Sequence, residues 1–316
     1  MPDISKTNLS PADVLRITEA SLGREAADSE PLTAGQCNAL YAVTLSDGSR
    51  CVLKIAPDPA LRLRRGERWL MQTETAAMWL AQTLPGVPLP RILAEDRTCA
   101  LCPAPFFIME YAPGHSAALD RPHWSAEEHD RWYRRFGEMI RAIAEARAPS
   151  FGIVASGRTF STLSAFAGDM LEMVLADCRD FGVDTGADAD EILARFGRET
   201  AFGCVTEPRL VHYDFWENNV MLEGERISSL LDWERAVWGD PLMEDRFRSY
   251  ALCPALLEGY GGPGFTLDEA ARRRCLWYDL TMAACLMADV FVRQYAEDSQ
   301  YRWARRMFVE TWEKLR

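Results

Sequence analysis

Lysine is nearly missing from this chain. Of 35 basic residues in 316, only Lys6, Lys54 and Lys314 are lysine, and the outer two lie near the termini. A basic excess is missing too. Forty-seven acidic residues set the net charge at −12, which argues against nonspecific nucleic-acid or anionic-membrane binding, since both need a basic surface. No run of about 18 apolar residues occurs; the best candidate, 280–292, is interrupted by Asp289. The first residues lack the basic-then-apolar pattern of an export signal. The nine cysteines are odd in number and scattered, and Cys99-x-x-Cys102 has no second Cys or His pair at zinc-finger spacing. They are expected to be reduced thiols of a cytoplasmic protein. Neither internal repeats nor low-complexity tracts are found.

What is present is an ordinary globular composition, 48% hydrophobic and 26% charged, over a length that suits about two domains. A helix is predicted over 12–22, with Ser10 as its cap before Pro11. Two strands, Asn38–Thr44 and Arg50–Ala56, flank the turn Ser46-Asp47-Gly48-Ser49, a strong hairpin signal. Residues 66–84 carry Leu70, Ala77, Ala81 and Leu84 at helical spacing, and prolines 85, 88 and 90 end the pattern. Short strands are expected around Arg91–Ala94 and Phe106–Tyr111. Ala112-Pro113-Gly114 then breaks the chain, dividing it into 1–111 and 112–316. The second part is predicted to be mostly helical, over 125–147, 161–179, 188–203, 242–258, 268–295 and 299–315. An irregular, strand-poor insert at 204–241 carries two apolar runs, 209–212 and 227–232. Residues 1–111 hold 13 acids and 11 bases, residues 112–316 hold 34 and 24, so the second part carries most of the negative field.

The informative stretch is Leu210-Val211-His212-Tyr213-Asp214, then Asn219, then Asp232 thirteen residues later at the end of another apolar run. Phosphoryl transfer needs such a set: one carboxylate to orient an attacking hydroxyl, and an amide oxygen and a second carboxylate to hold Mg²⁺ against phosphates. Asp214 fits the first role, Asn219 and Asp232 the second. Lys54 supplies the other half. It sits on the strand Cys51-Val52-Leu53-Lys54-Ile55 among apolar neighbours, where an ammonium needs a partner. Glu74 lies inside the apolar stripe of the 66–84 helix, an equally poor place for a lone carboxylate. The two solve each other's burial problem, with Glu67 as the fallback partner.

These landmarks resemble the aminoglycoside phosphotransferase and choline-kinase-like family, in order, over about residues 30–245. Residues 31–41, with Gly35 and Asn38, resemble its nucleotide loop; Phe107–Gly114 resembles its hinge, where backbone groups of Glu110 and Ala112 would meet adenine. Val87-Pro88-Leu89-Pro90 matches a family signature, and residues 212–219 resemble its HGDxHxxN pattern. Tyr213 replaces the usual Gly, Trp216 a frequent His, and Glu217-Asn218 stand where Pro-Gly is common. Gly239-Asp240-Pro241 matches the GDP element, with Glu244 in the usual Asp position. The resemblance implies an α+β, two-lobed, protein-kinase-like fold: a small antiparallel-sheet lobe with one helix, and a larger, mainly helical lobe. It also implies in-line transfer of the γ-phosphoryl group of ATP, or of GTP, to a hydroxyl, with Mg²⁺ bound and His212 supporting the loop.

The acceptor is expected over the second lobe. Its negative charge and the acids Glu217, Glu234, Asp240 and Glu244 suggest a cationic or polyhydroxylated small molecule, with an aminoglycoside antibiotic as the family default. Trp216, Trp233 and Trp238 are candidates for stacking on it, although core packing competes for at least two of them. No nucleic-acid or membrane partner is expected, and the sequence is silent on oligomeric state. A nucleotide-binding pseudokinase acting as an interaction module is the alternative, and the intact Lys54, Asp214, Asn219 and Asp232 weigh against it. A metal-dependent hydrolase built on His212, Asp214 and Asp232 leaves Lys54 unexplained.

Overall fold

The computed structural model of the chain describes residues 7–32, 38–58 and 62–316. Its first lobe is organised by the hairpin. At the turn, Asp47 Oδ1 accepts hydrogen bonds from the Ser49 N–H and hydroxyl, and Gly48 takes φ +83°, a conformation open mainly to glycine. The strands it joins are β2 (Ala39–Leu45) and β3 (Arg50–Ile55). Ahead of them lie helix α1 (Pro11–Leu22), capped by Ser10, and strand β1 (Ala26–Leu32); after them come α2 (Leu70–Ala81), β4 (Ile92–Asp96) and β5 (Phe106–Glu110). The five strands form one antiparallel sheet in the order β1-β2-β3-β5-β4. Strand β3 is central, and every residue in it but Arg50 is buried. That position lets it hold a charged side chain away from water.

Beyond Glu110 the chain crosses through residues 111–114 to β6 (His115–Ser116), α3 (Ala117–Asp120), α4 (Ala126–Ile143), β7 (Gly152–Ile153), α5 (Leu163–Asp180) and α6 (Ala189–Phe196). Then follow β8 (Arg209–Val211), β9 (Val220–Glu223), β10 (Arg226–Leu230) and β11 (Val237–Gly239), and finally α7 (Pro254–Gly261), α8 (Glu269–Val292) and α9 (Ser299–Leu315). The short strands make two small sheets, β10-β9-β6 and β7-β11-β8. Helices α4 and α7 cross closely because α7 has no side chain at Gly259: a Cβ there would lie 1.9 Å from the Arg134 carbonyl oxygen. Helix α8 is long and apolar enough to cross a membrane, yet 72% of its apolar stretch is buried, with α5 and α9 packed on it. It serves as the core helix of the second lobe.

The structure differs from the sequence expectations at four places. Strand β1 was not anticipated: Asp28, Ser29 and Glu30 carry weak strand preferences, and its pairing with β2 comes from contact at a sheet edge. The helix predicted over 242–258 is two tight 3-10 turns, 241–243 and 245–247, followed by α7. The Asp240 and Glu244 side chains accept from the backbone N–H groups that open these turns, which favours short caps over a continued helix. The insert at 204–241 holds four short strands: β9 and β10 form a tight hairpin, while β8 and β11 find their partners far off in sequence and leave little local signal. The helix predicted over 188–203 stops at Phe196.

Candidate active site

Lys54 is almost wholly buried on β3, and its Nζ donates to Glu74 on α2 at 2.7 Å. The pairing expected from the apolar stripe is therefore made. Glu67, the fallback, faces away and joins Arg64 and Arg293 in a separate buried cluster. Lys54 also reaches across the lobes. Its Nζ is 2.5 Å from Asp232 Oδ1 and 3.6 Å from Glu234 Oε2. Glu234 in turn accepts from Asn38 Nδ2 at 2.6 Å, tying the start of β2 to the segment that carries Asp232. Gly35 lies outside the described residues.

Three carboxylates, Glu74, Asp232 and Glu234, thus converge with ligand atoms within 4.8 Å of one another around a single ammonium. Burial alone would lower the Lys54 pKa, but Asp232, Glu74 and Glu234 hold it well above the usual lysine value. Burial pushes Glu74 up to about 8; Lys54 opposes this and the neighbouring acids reinforce it. Asp232 is held below the usual carboxylate range: burial works against this, and the adjacent Lys54 overcomes it. Such an excess of negative charge, drawn partly out of water, is poised for an added cation.

Asp214 sits at the cleft with a quarter of its side chain accessible. Asn219 Nδ2 donates to its carbonyl oxygen at 2.8 Å and its Oδ2 at 3.0 Å, leaving Asn219 Oδ1 without a partner among the described residues. Asn219 Oδ1 and the Asp232 carboxylate are hard oxygen donors of the kind Mg²⁺ takes. Burial raises the Asp214 pKa to about 8; Arg235 opposes the shift, and Asp232, Asp245 and Glu234 add to it.

The loop around Asp214 is held from below. His212 is fully buried; its Nε2 donates to the Leu231 carbonyl at 2.9 Å while Nδ1 accepts the Asp214 N–H at 3.3 Å. Burial pushes its pKa down to about 4, so the ring stays neutral. Tyr213 occupies a left-handed conformation, φ +67°, as does Asp232 at +64°. Glycine at the Tyr213 position would avoid that strain; here the buried ring and the N–H bond to Glu244 hold the conformation.

The acids expected to face the acceptor do not do so. Glu217 is buried against Arg246, Arg121 and the Tyr133 hydroxyl. Asp240 binds Arg274 and the Tyr278 hydroxyl. Glu244 is spent on backbone N–H groups, and Glu234 belongs with Lys54. Trp233 packs in the core against His212. Trp216 does border the cleft beside Asp214, together with residues that periodicity alone did not single out: Arg235, Tyr250 and Trp303. The last two stack edge to face, with centroids 5.3 Å apart. The only signal that could have found Arg235 is its place three residues after Asp232, between Glu234 and the apolar Ala236-Val237. At the hinge, the Glu110 N–H is spent on the Arg91 carbonyl, whereas the Ala112 N–H makes no hydrogen bond among the described residues.

Residues 28–245 match the model of the phosphotransferase enzyme family, and the chain belongs to that family. No curated protein matches it. Among solved structures it is similar to a candidate fructosamine-3-kinase from Thermobifida fusca YX-ER1, at 20% identity and TM-score 0.67, over 94% of this chain and 98% of that one. It also resembles a thermostable mutant of aminoglycoside phosphotransferase APH(4)-Ia in a ternary complex with ADP and hygromycin B. There the identity is 19% and the TM-score 0.62, over 95% of this chain and 97% of that one. A third is macrolide 2′-phosphotransferase MphH from Brachybacterium faecium, at 18% identity and TM-score 0.60, over 94% and 98%. These likenesses establish the two-lobed α+β kinase-like fold, and the family establishes a small-molecule phosphotransferase.

Proposed function

We propose that this phosphotransferase moves the γ-phosphoryl group of ATP, bound with Mg²⁺, to a hydroxyl of a small polyhydroxylated acceptor seated beside Asp214. The observation that carries this reading is the convergence of Lys54 with Asp232, 178 residues apart in sequence, at 2.5 Å. Of its three ammonium protons, Glu74 and Asp232 take two, leaving one for a phosphate oxygen. Glu74 fixes the ammonium, and Ala112 has a backbone donor available for the base. Asn219 and Asp232 would hold the metal, which supplies charge neutralisation at the phosphates.

Asp214 accepts a hydrogen bond from the acceptor hydroxyl and aligns its lone pair for in-line attack. The proton passes to its carboxylate as the new O–P bond forms and the bond to ADP breaks. Most of the rate comes from positioning and electrostatics. Trp216, Tyr250 and Trp303 offer aromatic faces suited to a sugar-like ring. The internal pairing of Glu217, Glu234, Asp240 and Glu244 takes those four acids out of acceptor binding, so they no longer favour a cationic over a polyhydroxylated acceptor. The eight described cysteines are free thiols, which supports a cytoplasmic setting.

The test is ADP release with MgATP against aminoglycosides, amino-alcohols, sugars and sugar acids, repeated with Asp214→Asn. Acceptor-stimulated ADP formation lost in that variant supports the reading. Tight ATP binding with no turnover on any acceptor would favour the pseudokinase.

A further inference from the structure

Arg235 is a cation without a hydrogen-bonded partner in the wall of the acceptor cleft. Its Nη1 stands 3.9 Å from Asp214 Oδ1, beyond hydrogen-bond distance, and it makes no hydrogen bond among the described residues. About a quarter of the side chain is accessible. The residue lines two adjoining spaces, the cleft at Asp214 and a second, largely apolar cavity toward α5, with Met282 as the other shared wall.

Neighbouring charges are committed elsewhere. Arg246 is held by Glu217 at 3.0 Å and by Asp245 at 2.7 Å, and Asp245 also accepts from the Tyr250 hydroxyl. Asp289 lies 2.7 Å from Arg64. Asp214 is the carboxylate that faces Arg235, as an ion pair at 3.9 Å that is too long for a hydrogen bond, so the N–H fork of the guanidinium stays open. A guanidinium so placed has a planar fork of donors, a shape that matches a carboxylate in bidentate fashion.

We infer that Arg235 recognises an oxyanion on the acceptor, so that the preferred acceptor is an alcohol bearing a carboxylate near its reacting hydroxyl. This rests on the phosphotransfer reading and names its substrate class. The spacing sets the geometry. A hydroxyl hydrogen-bonded to Asp214 and a carboxylate bonded to Arg235, each at about 2.8 Å, are bridged by a skeleton of roughly two or three bonds. Trp216 and Tyr250 cover the carbon skeleton. Arg235 is therefore a specificity-determining residue: it selects the acceptor, while Asp214 handles its proton.

The experiment uses matched probes on the full chain: sodium D-gluconate against D-glucitol, and D-glycerate against glycerol. Steady-state ADP release with MgATP is measured alongside calorimetric binding of each probe without nucleotide. The wild type should favour the carboxylate member in kcat/KM by about tenfold or more, the worth of a charge-assisted hydrogen bond. In Arg235→Met that ratio should collapse toward one through KM, and Arg235→Lys should keep part of it.

An equal or greater preference for the neutral probes in the wild type would overturn the inference. So would a fall in kcat for all acceptors alike in Arg235→Met, which would assign the guanidinium to the transferred phosphoryl group. So would the absence of any Arg235-dependent binding or turnover with the carboxylates. Arg235-dependent binding of gluconate or glycerate without ADP formation would uphold the inference and count against the transfer reaction instead.

Discussion

Glu244 brackets Asp214 from behind: its two carboxylate oxygens accept the backbone N–H groups of Tyr213 at 3.0 Å and Phe215 at 2.9 Å, the residues on either side of the base. The carboxylate also accepts from the Asp245 N–H. It is buried, and burial raises its pKa to about 7 against the pull of those N–H groups. A side chain that the sequence suggested for the acceptor instead sets the backbone that aims Asp214.

Glu244→Ala should therefore damage the loop without touching a reactant. It strands buried N–H donors at a cost of about 1–3 kcal/mol each, so the melting temperature and kcat should both fall. Glu244→Gln keeps one acceptor oxygen and should fall between wild type and the alanine variant. Thermal melts and ADP-release kinetics read both effects. Wild-type turnover in Glu244→Ala would remove the positioning role.

Asp214→Asn retains shape and removes the proton acceptor. A loss in kcat of about 10²–10⁴-fold is expected, the usual worth of a positioned base, with the KM for ATP nearly unchanged. A variant that turns over at near wild-type rate would show that another group orients the hydroxyl.

Lys54→Met leaves Glu74, Asp232 and Glu234 facing one another without their ammonium. Removing one partner from a buried charge cluster costs about 3–5 kcal/mol. A divalent cation should then compensate: MgCl₂ should raise the melting temperature of Lys54→Met more than that of the wild type, and EDTA should reverse the gain. Equal magnesium shifts in the two proteins would argue against these carboxylates as a cation site.

His212 makes stability depend on pH. Its folded pKa, lowered to about 4 by burial, lies below the unfolded value of about 6.5. Between these values the unfolded chain binds more protons, so the stability this residue contributes is complete above about pH 6.5. It is lost as the pH falls through 4, to a total on the order of 3 kcal/mol. His212→Gln should be less stable than wild type at pH 7.5, and the gap should narrow by about 2 kcal/mol at pH 5. Denaturant titrations at the two pH values measure it; a gap independent of pH would mean that the imidazole titrates normally.

Much of the candidate site was legible because its chemistry conflicts with its surroundings. A lysine on an apolar strand and a glutamate in an apolar helical stripe are costly separately and compatible together, so each pointed to the other. His212, Asp214, Asn219 and Asp232 stood out by spacing between two apolar runs. The hairpin was legible from Asp47-Gly48, since turn chemistry is local. Strand β1 and the four short strands beyond residue 204 were not: β1 carries weak strand preferences in Asp28, Ser29 and Glu30, β9 and β10 are only four and five residues long, and β8 and β11 pair with partners far along the chain.

Charge was the property the linear order misrepresented. Counting acids in the second lobe suggested a cationic ligand, but a carboxylate's meaning depends on what lies within a few ångströms of it. Folding gave Glu217 to Arg246, Asp240 to Arg274 and Glu244 to backbone amides, and left Arg235 facing the cleft with an ion pair to Asp214 but no hydrogen bond among the described residues. Residue identity and spacing determined the reaction class, since the groups that bind and move a phosphoryl are few and chemically distinctive. The tertiary structure alone decided which charges remain for the acceptor, because pair energies fall off with distance through space, not along the sequence.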